Sequence, residues 1–166
     1  PSSLMHIYLI EAGPRLLAGM SEESSAHAEQ FLREMGVNIL LNKRVVDYRD
    51  HKVVLEDGTE IATRTFIWVS GVTGVTIGNL DASLIGRGGR IKVDSFNRVE
   101  GMNNVFAIGD QCIQLADENY PNGHPQLAQV AIQQGELLAK NLVRMEKGRE
   151  MKPFHYRNLG SMATVG

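Results

Sequence analysis

Ile7-Tyr8-Leu9-Ile10-Glu11 is a short β-rich apolar run that ends on a carboxylate, and Gly13-Pro14 punctuates the chain just after it. Ser21 then offers a helix N-cap, with Glu22 and Glu23 placed to favour the positive end of the helix dipole. Ala28, Phe31, Leu32 and Met35 fall at i, i+3, i+4 and i+7, which is one helical face. Gly36 stands where a helix would release the chain, and Val37 to Leu41 supplies the next strand. Strand, amphipathic helix, strand: the opening segment predicts an α/β fold.

Working outward, Val45 to Tyr48 and Lys52 to Glu56 read as strands. Asp57-Gly58 is a hairpin dipeptide, so Thr59 to Ala62 is expected to return as a third strand of an antiparallel meander. Thr65-Phe66-Ile67-Trp68-Val69 is apolar, β-branched and aromatic, and predicts a buried strand. After turns comes a short strand from Arg90 to Val93, then a second buried strand, Val105-Phe106-Ala107-Ile108, closed by Gly109-Asp110. A polar loop spans 114–124. Pro125 is expected to start the longest helix, running to about Lys147, with Gly148 as its stop.

The chain has 166 residues, which by themselves suggest one domain with a sizeable core. A formal net charge of −2 gives no electrostatic footprint for nucleic acid. The single cysteine excludes an internal disulfide framework and fits a reducing compartment. The uncharged stretch from Phe66 to Leu80 is too short, and too broken by Gly71, Gly74 and Gly78, to span a bilayer. No charged segment precedes an apolar one at the start, so no signal peptide is read there. Pro1-Ser2-Ser3 runs almost at once into a strand, like a start inside a larger protein.

Three places could carry chemistry. Glu11, just past its strand, could accept hydrogen bonds from ribose hydroxyls, as an acidic side chain does at a strand end in a dinucleotide fold. The plainer alternative is a solvated carboxylate. Gly109 lets the backbone approach a ligand, and Asp110 would stand at a sheet's carboxyl edge, suited to a polyol or ribityl hydroxyl. A turn aspartate capping its own loop is the alternative there. The helix after Pro125 would present unpaired N–H groups to an anion such as the N1–C2=O edge of a reduced flavin. Gln129 and Gln133 share one face of it and could line one pocket, although glutamines on a helix are commonly just solvated. The five histidines show no metal spacing, and no Ser-His-Asp elbow is present. Cys112 reads as a small buried residue, since no second cysteine exists to pair with it. With no side-chain catalyst in view, a cofactor is expected to carry the reaction.

These residues resemble a known family. Val105-Phe106-Ala107-Ile108-Gly109-Asp110 is similar to the second FAD motif of the two-dinucleotide-binding flavoproteins. Ala128-Gln129-Val130-Ala131-Ile132-Gln133-Gln134-Gly135, together with Phe154-His155-Tyr156 and Gly160 to Gly166, resembles the type II NADH dehydrogenases, non-proton-pumping NADH:quinone oxidoreductases. Tyr8 to Glu11 and Phe66 to Val72 fit as well.

The resemblance implies a truncated Rossmann-like three-layer FAD/NAD(P)-binding α/β fold with an antiparallel meander. It assigns about 1–72 to the later part of an NADH-binding domain and about 73–166 to the later part of an FAD-binding domain. By this resemblance Glu11 would hold the NADH ribose, and Gly71 would lie in the crossover between domains. Gly109 and Asp110 would bind the FAD ribityl chain, Leu127, Ala128 and Gln129 would face the flavin, and Gln129 and Gln133 would border the quinone. The parent would sit peripherally on the cytoplasmic side of the inner membrane.

Both G-x-G-x-x-G fingerprints of the family are missing from this sequence, so the chain alone is expected to be an inactive fragment. Its strand edges invite pairing with a second copy, a homodimer. A disulfide reductase or a sulfide:quinone reductase of the same fold, or a non-catalytic nucleotide-binding module, remain the alternatives.

Overall fold

A computed structural model describes residues 5–165, so Pro1-Ser2-Ser3-Leu4 and Gly166 lie outside the described residues. The chain divides into two compact units, Pro1–Val69 with Gly160–Gly166, and Ser70–Leu159. The division falls just before the expected boundary after residue 72, and 160–166 group with the first unit rather than the second.

In the first unit, β1 (Ile7–Ile10) and β2 (Val37–Leu40) lie parallel, Ile7 opposite Val37 and Ile10 opposite Leu40. The crossover between them is α1 (Glu22–Glu34). Ser21 caps this helix as expected, its side chain accepting from the Ser24 amide at 3.1 Å, a contact worth about 1 kcal/mol. Ala28 and Ser25 are its buried residues, and Ser25 Oγ donates to the Leu16 carbonyl at 2.6 Å. The expected apolar face is only partly covered, because Phe31 and Met35 stay about half exposed.

β3 (Val45–Arg49), β4 (Lys52–Leu55) and β5 (Glu60–Ala62) form the antiparallel meander. Arg49 pairs with Lys52 across a two-residue loop in which Asp50 and His51 both take positive φ, the twist a tight hairpin requires. At the second turn Asp57 Oδ1 accepts from the Thr59 amide at 3.0 Å, and its other oxygen meets Lys43 Nζ. The Lys43 hydrogen bond first, and the Thr59 amide second, hold the Asp57 carboxyl well below the usual range.

The second unit packs β6 (Ile91–Val93) parallel to β7 (Cys112–Gln114), with Ile91 opposite Cys112. Its core joins Ile91, Val93, Val99, Ala107 and Cys112, with Leu80, Leu84, Ile85 and Met102 packed against it. Then comes α2 (Ala128–Glu146). No described helix is long and apolar enough to cross a membrane.

Four expectations need correction. Thr65 to Val69 is not a buried strand: no ladder partner exists for it among the described residues, and Ile67, Trp68 and Val69 are exposed. Val105 to Ile108 makes a single bridge, Phe106 opposite Arg98, for the same reason. Apolar β-branched sequence becomes a strand only where a neighbour takes its backbone hydrogen bonds. The loop assigned to 114–124 loses its first residue to β7, and Gln114 is buried there. Finally, α2 begins at Ala128 rather than Pro125, because the Pro125 carbonyl accepts from the Leu127 amide at 3.0 Å and Leu127 is extended.

Candidate cofactor and substrate site

In the first unit, Glu11 follows β1 and stays in register, its amide donating to the Leu40 carbonyl at 2.9 Å. Its Oε1 accepts from the Gly13 amide at 2.6 Å, which orients the carboxylate over its own turn. The side chain is half-buried, and Oε2 makes no hydrogen bond among the described residues. This geometry satisfies the plain turn-capping role and also leaves one acceptor oxygen for a hydroxyl pair.

In the second unit, the chain leaves Ile108 and makes one 3-10 turn, Gly109–Gln111. Gly109 has φ +64, and a Cβ there would come 3.2 Å from the Ala131 Cβ of α2. Its lack of a side chain therefore serves close approach to the helix as well as any ligand. Asp110 is exposed on this turn, and Gln126 Nε2 donates to its carbonyl at 3.2 Å. The Leu127 N-cap makes no side-chain capping bond, and its carbonyl takes the Val130 and Ala131 amides at 3.0 Å and 3.2 Å, so α2 opens without a side-chain acceptor over its first turn. Leu127 and Ala128 are exposed beside it, and Gly71 is exposed at φ +102. An exposed carboxylate can accept from polyol hydroxyls, a glycine at positive φ lets the backbone come close, and a helix start without a side-chain cap favours an anion.

Gln129 and Gln133 do lie on one face, but their amides are engaged. Gln133 makes a reciprocal pair with Arg157, Nε2 to the carbonyl at 2.9 Å and Oε1 from the amide at 3.0 Å. Gln129 Oε1 accepts from the Leu159 amide at 3.1 Å.

Three residues that sequence reasoning passed over hold the site in shape. Gln134, 1% exposed, accepts the Gly109 amide at 2.6 Å through Oε1 and lies 3.7 Å from Cys112 Sγ. Gln111 grips Val75 at both backbone atoms, at 2.9 Å and 2.7 Å. Arg90 is buried, and its guanidinium donates to the Cys112 carbonyl at 2.6 Å and the His124 carbonyl at 3.1 Å. It thereby ties the strand after Asp110 to the residue before Pro125. Burial lowers the Arg90 pKa, against the opposing charges of Cys112 and Asp110. The one available signal for Gln134 was its position beside Gln133, and that spacing alone does not say which of two neighbours faces inward.

Among known proteins, a family model described as pyridine nucleotide-disulphide oxidoreductase matches residues 2–135. The chain belongs to that family. It is similar to a type II NADH:quinone oxidoreductase of Haemophilus influenzae, 31% identical over 165 residues, covering 99% of this chain and 37% of the relative. A type II NADH:quinone oxidoreductase of Staphylococcus aureus is 32% identical over 164 residues, 96% of this chain and 40% of the relative. The solved structure of NDH2 from Plasmodium falciparum in complex with NADH matches with a TM-score of 0.83 at 18% identity, over 98% of this chain and 48% of that one. The last is a likeness of fold, the Rossmann-like α/β fold expected from the sequence. The chain spans about two fifths of the length of the curated relatives it matches.

Proposed function

We propose that this chain is the later part of an NADH-binding domain (about 1–72) joined to the later part of an FAD-binding domain (about 73–166) of a non-proton-pumping NADH:quinone oxidoreductase. The observation that carries this is in the second unit: exposed Asp110 on its glycine turn, beside a helix start with no side-chain cap. FAD, when bound, supplies hydride acceptance from NADH and two-electron reduction of quinone.

The chain's own residues bind and orient. Asp110 accepts from ribityl hydroxyls, helped by the Gly109 turn. The amide of Ala128, with the helix dipole behind it, stabilises negative charge at the ring edge. Leu127 gives the ring an apolar contact and excludes water. Glu11 accepts from the NADH ribose, Gly71 belongs to the crossover between the two domains, and Gln129 and Gln133 border the quinone. Peripheral attachment on the cytoplasmic side of the inner membrane and pairing of two copies belong to the same proposal.

The test is made on the protein as its gene encodes it. It should purify with flavin absorbance and reduce a soluble quinone with NADH. The 166 residues alone, having neither glycine fingerprint, should purify without flavin and leave NADH unoxidised. NADH oxidation that passes no electrons to quinone would overturn the assignment.

Replacing Glu11 gives a sharper result. A carboxylate repels the 2′-phosphate of NADPH, so Glu11→Gln should lower the kcat/KM preference for NADH over NADPH on the order of tenfold, the worth of one like-charge contact in a partly solvated site. An unchanged preference would remove Glu11 from the ribose.

A further inference from the structure

Asn141, Gln133 and Gln129 stand at intervals of eight and four residues on α2, an inclined row along one side of the helix. An extended segment, 152–159, runs antiparallel to that row. Asn141 Nδ2 donates to the Lys152 carbonyl at 2.8 Å while its Oδ1 accepts from the Lys152 amide at 2.8 Å. Gln133 repeats the reciprocal pair with Arg157, and Gln129 takes the Leu159 amide. Each carboxamide offers one donor and one acceptor in the arrangement of a peptide group, so the helix presents a substitute strand edge. Between these points Phe154 is buried, its amide donating to the Ser95 carbonyl at 2.7 Å and its ring edge-on to His124 with centroids 5.2 Å apart. At Leu137 the row has no amide, and a shallow groove of about 270 Å³ opens there, lined by Leu137, Lys140 and Pro153 among others.

We infer that the segment 152–159 is an arm seated on the carboxamides of α2, and that the seated arm forms one wall of the quinone site beside Gln129 and Gln133. This rests on the quinone assignment proposed above. It gives Gln133 a second task, since an amide holding the arm still has one N–H and one lone pair for a ligand. It also makes Asn141 a positioning residue. Asn141 lies 12 residues beyond Gln129, about 18 Å along the helix, and so is out of reach of a quinone ring that Gln129 touches.

The experiment uses Asn141→Leu, Asn141→Asp and Lys152→Pro in the protein as its gene encodes it. Lys152→Pro removes the arm's own donor at an exposed position and leaves the helix unaltered, so it serves if the Asn141 variants fail to fold. Amide hydrogen exchange at Arg157 and Leu159 should speed up about tenfold in Asn141→Leu and Lys152→Pro, the effect of losing one side-chain amide hydrogen bond that seats the arm. The KM for a soluble quinone should rise by a similar factor, while stopped-flow reduction of the flavin by NADH keeps its wild-type rate. Asn141→Asp retains the acceptor for the Lys152 amide and should fall between wild type and Asn141→Leu. Unchanged exchange would show that the arm is not held by these amides. Faster exchange with an unchanged quinone KM would overturn its role as a wall. A wild-type protein that reduces no quinone would overturn the function proposed above, and the wall with it, while exchange would still report the seating of the arm.

Discussion

Gly74→Ala unfolds the second unit at a much lower denaturant concentration than the wild-type chain. At Gly74 a Cβ would come 2.2 Å from the Gly89 carbonyl oxygen, 2.7 Å from its carbon and 3.1 Å from the Arg90 Cα. All three are backbone atoms, so no flexible side chain can move aside. The two segments are also bonded to each other, the Gly74 amide donating to the Gly88 carbonyl at 2.8 Å. Relief therefore requires pulling apart the turn that leads Arg90 into β6. Overpacking of this kind costs about 3 kcal/mol, which in a domain of this size lowers Tm on the order of 15 °C. Gly78→Ala is the control, because a Cβ there meets nothing within 4 Å. Equal unfolding midpoints for the two variants would show that the close approach at Gly74 does not matter.

Gln134→Leu should loosen the Gly109–Asp110 turn while keeping the packing volume of the helix face. Leucine fills nearly the same space but cannot accept the Gly109 amide, which is left without its 2.6 Å partner in a site where Gln134 is 1% exposed. Orphaning this partly buried donor against a buried side chain costs about 2 kcal/mol. Cys112 reports the loss directly. It is 1% exposed, and burial raises its thiol pKa against the opposing pull of Arg90 and its hydrogen bonds to Gln134 and Asn97. In the wild-type chain it should therefore be almost silent to a thiol reagent until the turn opens. In Gln134→Leu the labelling rate should rise about thirtyfold, which is about 2 kcal/mol converted at 1.36 kcal/mol per decade. Unchanged labelling would mean that the turn is held by something other than this amide.

Much of the first unit was legible because its signals are local. Ser21 caps a helix through a side chain three residues from the amide it serves, and Asp57-Gly58 bends the chain by its own backbone preferences. The strand–helix–strand pattern and the long helix declare themselves by period. The candidate site rests on signals of the same local kind: Glu11, Gly109 and Asp110 are singled out by residue type and by position after an apolar run, whereas the sequence puts the start of α2 at Pro125 and the structure puts it at Ala128.

Other features depended on partners far away in sequence. Thr65 to Val69 and Val105 to Ile108 have strand composition, but a strand is completed by a neighbour's hydrogen bonds, and composition does not supply the neighbour. Gln129, Gln133 and Gln134 are one residue type on one helix, yet two hold an extended arm and the third is buried under a glycine turn. A helix turns about 100° per residue, so adjacent glutamines meet different surroundings, and which surroundings those are is decided only when the helix docks. Gly74 reads in sequence as one more loop glycine, and only the approach of Gly88 and Gly89 gives it a reason to be one. Local sequence marks most of the elements and suggests ends for a ligand, although Thr65 to Val69 and Val105 to Ile108 do not become strands. The tertiary structure decided which polar groups hold those ends in place, because a hydrogen bond between distant segments leaves no periodic trace in either of them.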